Sequence, residues 1–223
     1  MPDFGHRTRR SRAGSRKARA RVLVLCGGEE TESIYFEYVK EQLSGSGISV
    51  KIATLGQSPS QVLTEAVRLR DQEARQARSR GDETNTFDAV WIVIDVDEFA
   101  MQISGVLSEA MRKSIGVAIS NPCFELWLSL HVGGCDNHVT TKQAQLRAAR
   151  DSLVGGKRNK VPTIQRLRNR FTQAEARAKK MRENHVELGR RPPEDNPSTC
   201  VDLLVRSLIE ASLASDPQLH HGL

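Results

Sequence analysis

The chain has 223 residues, with 33 Lys and Arg against 27 Asp and Glu, and a formal net charge of +6 at neutral pH. That length suits one domain with appendages or two small ones, with a core that needs no metal or disulfide staples. No apolar run approaches the roughly 20 residues of a membrane span, the ten Phe, Tyr and Trp residues are few for a base-stacking platform, and the basic N-terminus lacks the apolar stretch of a secretory signal.

Residues 1–19 are rich in Arg, Ser, Gly and Ala, offer almost nothing to pack, and are expected to be disordered. Val22–Cys26 is a short, continuous, β-branched run, as expected of a strand buried on both faces of a parallel sheet. Gly27-Gly28 ends it, and a helix is predicted over Thr31–Leu43, with Ile34, Tyr35, Tyr38 and Val39 on one side. Ser49–Ala53 is a second strand. Ser58-Pro59-Ser60-Gln61 opens the next helix as cap, first-turn proline and capping-box partner; it runs to about Arg78 with Val62, Ala66 and Leu69 inward.

Ala89–Ile94 is the strongest strand signal and reads as central. A helical or irregular stretch crosses 99–113, Ile115–Ile119 is a fourth strand, and Asn121-Pro122 leads into a helix over Cys123–Leu130. Strands alternating with helices predict an α/β fold: a parallel sheet of about four strands flanked by helices. Beyond it, Thr140–Leu153 is predicted helical. Ile164, Leu167, Phe171, Ala174, Ala178 and Met181 form an amphipathic seam from Pro162 to about Asn184. Asn196-Pro197-Ser198-Thr199 reads as a cap with a first-turn proline before Val201, Leu204, Val205 and Leu208. The expected organisation is a basic tail at 1–20, an α/β core at 21–135 and a helical extension at 136–223 packed on that core.

The charge is segregated. Residues 1–21 carry eight bases and one acid, residues 157–191 carry twelve bases and three acids, and the remainder holds 13 bases and 23 acids. An acidic body with two basic segments suits either a carboxylate site flanked by arms that hold a polyanion or, equally, a solvated arm and a solvated helix face. Within the second segment, Arg166, Arg168, Arg170, Lys179 and Lys180 are the expected nucleic-acid contacts, made to the backbone without sequence information. The four cysteines, Cys26, Cys123, Cys135 and Cys200, include no C-x-x-C pair. Reduced thiols in the cytoplasm are the simpler expectation over a zinc knuckle.

Three motifs bear chemistry. Asp95-Val96-Asp97-Glu98 follows the central strand. If the chain stays extended, residues two apart point the same way, so Asp95 and Asp97 can aim both carboxylates at one point. That point lies beyond the carboxyl end of a strand, where open parallel sheets place their ligands. Mg²⁺ is held by one or two carboxylates with water or phosphate, and an apposed pair of acids calls for a cation. Gly27-Gly28-Glu29-Glu30-Thr31-Glu32 follows the first strand. Its acids argue against a phosphate cradle, and it lacks the Gly-Lys-Ser/Thr ending of a P-loop. These acids are either favoured at a helix start by its dipole or complete a three-carboxylate site through Glu29 or Glu32. Ser120–Leu128 is mostly core-forming, and its Glu125 is either another dipole-stabilising acid or a further acid of the same site.

In order, L-C-G-G-E-E-T-E-x-x-Y-F, I-D-V-D-E, S-N-P-C-F-E-L-W-L-x-L-H and N-P-S-T resemble the RloB family over about Val22–Leu208, with Ser120–Trp127 the most specific block. The arrangement is similar to TOPRIM-type domains, in which a glutamate and two aspartates bind Mg²⁺ for phosphodiester cleavage or transfer. The resemblance implies an Mg²⁺- (or Mn²⁺-) dependent nuclease of anti-phage, abortive-infection defence, commonly beside an ATPase partner. Asp95 and Asp97 match the D-x-D pair and Glu125 the F-E-L-W glutamate. Where family members often have a glutamate after the cysteine, this chain has Gly27; Glu29, Glu30 and Glu32 lie in the same turn and are the candidates to replace it. The alternative is a catalytically inactive TOPRIM-like adaptor that docks on the ATPase.

Overall fold

The computed structural model describes residues 20–45, 47–82 and 85–215. The basic tail at 1–19 and the chain end from 216 lie outside the described residues.

Four strands form the parallel body of one sheet: β1 (Ala20–Cys26), β2 (Ile48–Thr54), β3 (Ala89–Asp95) and β4 (Gly116–Asn121). A fifth, β7 (Ser198–Thr199), pairs antiparallel with β4, and the order is β2-β1-β3-β4-β7. The mostly parallel α/β architecture expected from sequence is therefore present, with one strand more than expected, and it is consistent with a TOPRIM-like core. Helices α1 (Thr31–Gln42), α2 (Pro59–Ser79), α3 (Ala100–Arg112) and α4 (Phe124–Leu130) follow the parallel strands. Among the described residues no helix is long and apolar enough to cross a membrane.

β1 shows why its sequence is apolar throughout. Val22, Val24 and Cys26 pack on one face with α1, α4, α7 (Phe171–Glu187) and α8 (Val201–Ser215). Leu23 and Leu25 pack on the other with α2 and α3. Both faces are covered, so period-two alternation of polarity is absent. The start of α2 follows its local signal: the Ser58 N–H donates to the Gln61 side chain at 3.2 Å, and Pro59 opens the helix. The face of α1 also includes Phe36, fully buried, whereas Ile34 is only half-buried.

Three local expectations are corrected. The 162–184 seam is not one helix. It comprises α6 (Ile164–Leu167), a break at 168–170 and α7, with Asn169 at a φ of 61°. Asn tolerates that left-handed conformation, and a continuous seam does not prevent a local break. Helix α5 (Thr141–Arg150) stops before Leu153, with Ser152 at a φ of 55°. Ser198-Thr199 is strand, not helix cap: the open edge of β4 recruits it, and the Ser120 and Thr199 hydroxyls lie 2.9 Å apart in a buried hydrogen bond. Asn196 donates to Asn121 Oδ1 at 3.1 Å instead of capping a helix.

The C-terminal third is joined to the sheet beyond β7. α8 packs against β1, β2 and β4. Buried Asp202 on α8 accepts two hydrogen bonds from Arg182 on α7, at 2.6 and 2.7 Å. A small hairpin, β5 (Val154–Gly155) with β6 (Val161–Pro162), reaches α1.

Candidate functional site

β1, β3 and β4 end at one edge in matched register, with Cys26 opposite Val93 and Asp95 opposite Ser120. Asp95 ends β3; Glu32 sits in the first turn of α1, and Glu125 in the first turn of α4. Two adjoining cavities open there. The larger, about 310 Å³, is lined by Glu29, Glu32, Asp95, Glu125, Arg158 and Lys160 among others. The smaller, about 140 Å³, shares Gly28, Glu32 and Asp95 with it and adds Gly27 and Asp97. Glu32 and Asp95 therefore form the wall common to both.

Glu32 is 6% exposed and Glu125 only 2%. Burial raises the carboxyl pKa of Glu32, reinforced by the charge of Glu125 and opposed by backbone N–H groups and Lys160. Asp95 lies well above the usual aspartate range, first because of burial and then because Glu32 and Glu125 face it. Its Oδ1 is buried with no hydrogen-bond partner. An unsatisfied buried carboxylate oxygen is costly, and buried acids pushed together cluster at functional sites.

The D-x-D expectation needs correction in its geometry. The chain is not extended through it. It turns at Val96 into a 3₁₀ turn over Asp97–Phe99, with Asp97 at a φ of 31°. Asp97 N–H is held by the Pro122 carbonyl at 3.0 Å, and Asp97 Oδ1 accepts from Thr141 Oγ1 at 2.8 Å. Asp97 still reaches the smaller cavity, but as an exposed residue beside half-buried Asp95.

The first-strand acids divide. Glu32 faces Asp95 and its carboxylate lies over Gly28, so a side chain at 28 would push that carboxylate aside. Glu29 is exposed and lies against Gly56, whose φ of 53° and lack of a side chain leave room for it. Glu30 is exposed as well and lines the larger cavity. At Gly27 an added Cβ would lie 3.1 Å from the Val93 carbonyl and beside Val62 and Ile94.

Glu125 does not face the cavities alone. Lys160, on the tip of the β5–β6 hairpin, pairs with it at 2.9 Å. Burial disfavours the lysine charge, but Glu125 outweighs this and the pKa is raised. Sequence reading singled out neither Lys160 nor Arg158. Both lie in the basic segment, but nothing local indicates that the hairpin folds back over the acids.

The other basic residues of the segment line cavities that share no residue with those of the acids, or pair on the surface. Arg168 and Arg170 line an open groove with Arg177, His131 and Gln173. Arg177 also lines a second cavity with Lys180 and Arg190. Arg166 donates to the Asp151 carbonyl at 3.3 Å, and Lys179 pairs with Glu183 at 3.8 Å. The five expected contacts are thus not a single row, and Arg177 is the residue that joins the two basic surfaces.

Among the described residues no three Asp, Glu, His or Cys side chains form a ready-made metal cage. A magnesium ion asks for less: one or two carboxylate oxygens, the rest being water and substrate phosphate. The orphaned Asp95 Oδ1 and Glu32, on the wall common to both cavities, fit that hard-oxygen requirement, with exposed Asp97 lining the smaller one.

A family model described as RloB-like protein matches residues 22–208. No curated protein and no solved structure matches the chain. The match covers most of the sequence, and the chain belongs to the RloB-like family.

Proposed function

We propose that this RloB-like protein is a magnesium-dependent nuclease that acts on nucleic-acid phosphodiesters in anti-phage, abortive-infection defence, with a TOPRIM-like core. The observation that carries the reading is the unsatisfied buried carboxylate oxygen of Asp95, facing Glu32 at the carboxyl ends of parallel strands. Asp95, Glu32 and Asp97 would hold the ion. When bound, Mg²⁺ supplies charge neutralisation at the phosphate and a water of lowered pKa.

Glu29, exposed and lining the larger cavity, would take a proton from a water there. Glu32 is the better replacement for the family's first-motif glutamate, because it is buried against Asp95 while Glu29 and Glu30 are exposed. The grooves lined by Arg168, Arg170, Arg177 and Lys180, which share no lining residue with the carboxylate cavities, would offer phosphate contacts. An ATPase partner and a cytoplasmic setting belong to the same proposal.

The test is cleavage of labelled DNA and RNA by the purified protein with Mg²⁺ or Mn²⁺, beside Asp95→Ala/Asp97→Ala. The expected result is metal-dependent cutting that the double variant and a chelator both abolish. Gly27 and the neutralisation of Glu125 by Lys160 favour a second reading, an inactive adaptor for the ATPase. If wild type fails to cut alone and with the ATPase present, the adaptor reading replaces the nuclease.

Reversing Arg166, Arg168 and Arg170 to Glu is expected to weaken nucleic-acid binding at least tenfold. It should also flatten the slope of log affinity against log salt, by about one for each phosphate that the segment no longer neutralises. Unchanged affinity and slope would remove this segment from the binding surface.

A further inference from the structure

We propose that Lys160 is the second cation of the carboxylate cleft, standing where a second divalent ion would otherwise sit, and that it is the residue that meets the substrate phosphate. The inference rests on the nuclease reading above and assigns a role to a residue outside its metal-holding set.

The hairpin is built to deliver this lysine. Val154 pairs with Pro162 and Gly155 with Val161, and Thr163 N–H donates to the Leu153 carbonyl at 2.8 Å. The tip turns through Gly156 and Asn159, both at positive φ, and a side chain at 156 would press on Val161. Thr31 Oγ1, at the start of α1, donates to the Lys160 carbonyl at 3.0 Å. Lys160 Nζ donates to Glu125, at the start of α4, at 2.9 Å. The residue thus bridges the two helix starts that carry Glu32 and Glu125.

The lysine side chain is 40% exposed, whereas that of Glu125 is 3% exposed. Its inner end neutralises a buried acid while its outer side opens on the cavity. An ammonium has three donors and no acceptor, and one of these donors is directed to Glu125. The others are available to a phosphate oxygen. Without the ammonium on Glu125, a phosphate entering the cavity would face that buried carboxylate as well as Glu32 and Asp95, at like-charge cost, with Arg158 the remaining cation of the lining.

The same pairing limits the metal count. With Glu125 neutralised, Glu32, Asp95 and Asp97 remain as carboxylate donors, enough for one Mg²⁺. A second ion would need Glu125 and would have to displace the ammonium. Lys160 stays protonated throughout; it donates hydrogen bonds and transfers no proton.

The test combines Mn²⁺ titration of the metal-free protein, read by electron paramagnetic resonance, with cleavage of labelled nucleic acid. Wild type is expected to bind one Mn²⁺. Lys160→Gln frees Glu125 and is expected to bind a second ion while cutting at least 100-fold more slowly. Lys160→Arg should keep one ion and stay within tenfold of wild-type cutting. Because Lys160→Gln leaves a buried carboxylate without its partner and can unfold the chain, Lys160→Met/Glu125→Gln removes both charges. It should fold, bind one Mn²⁺ and show the same 100-fold loss. Two ions on wild type, or wild-type cutting by either charge-removing variant, overturns the inference. A wild type that binds Mn²⁺ and cuts while these variants behave as wild type removes the Lys160 role alone; a wild type that neither binds nor cuts removes the nuclease reading and this one with it.

Discussion

Asp95→Asn is expected to make the metal-free protein more stable and, in the same step, to abolish the metal-dependent cleavage proposed above. Asp95 is half-buried, its Oδ1 is buried without a hydrogen bond, and Glu32 and Glu125 face it. Its pKa in the fold lies well above the value of about 4 it has in the unfolded chain. Between those two values the folded state binds more protons than the unfolded state. Stability attributable to this group therefore falls as pH rises through that window. An amide carries no such charge, so the gain should be small at pH 4 and grow toward pH 8. At neutral pH a gain on the order of 1–2 kcal/mol is expected, within the usual cost of a buried polar group left unsatisfied. For a chain of this size it corresponds to a rise in Tm of about 2–8 °C. Thermal unfolding of both proteins across pH, with cleavage measured beside it, checks both halves. In the metal-free protein, equal or lower stability of Asp95→Asn at pH 8 would mean that a group of the protein already satisfies the acid.

Trp127→Ala is expected to lower stability by about 3–5 kcal/mol, the range for emptying a large aromatic site. Trp127 is fully buried, meets Tyr35 edge-on at 6.2 Å and Phe171 at 6.2 Å, and lies against His131 at 4.8 Å. It therefore ties α1, α4 and α7 together, and the packing of the C-terminal third depends on it. Burial also pushes the pKa of His131 down to about 4, so the imidazole is neutral in that cluster at neutral pH. Urea unfolding at pH 7 provides the measurement. A loss below about 1.5 kcal/mol would show that the cluster collapses around the cavity. The same contacts separate the roles within the Ser120–Trp127 block: Trp127 is core, while Glu125 faces the carboxylate cleft.

The strand and helix order of the first 130 residues was legible because each element carries its own signal. Val22–Cys26 and Ala89–Ile94 are continuous apolar runs, and Ser58-Pro59-Ser60-Gln61 is a complete helix start. Their physics is local: burial on both sheet faces, and a cap that satisfies its own first turn. The location of the acids was legible for the same reason, since a parallel sheet brings the residues after its strands to one edge. Their geometry was not. Asp97 turns away from the extended line because the Pro122 carbonyl and Thr141 hold it, and both contacts come from later in the chain.

The C-terminal third marks the boundary between the two kinds of information. Its apolar spacing alone determined that Leu167, Phe171, Ala174, Ala178 and Met181 are buried, because a residue's preference for the interior is its own property. Tertiary structure alone decided that Ser198-Thr199 would extend the sheet instead of capping a helix, and that Lys160 would lie on Glu125. An open strand edge and a buried charge each require a partner, and the chain meets that need with whichever residues the fold brings within reach. The separations of 35 residues between Lys160 and Glu125 and 79 between Ser120 and Thr199 leave no trace in local sequence. A hydrogen-bonding or charged group is defined by what it faces, and only the assembled structure determines that.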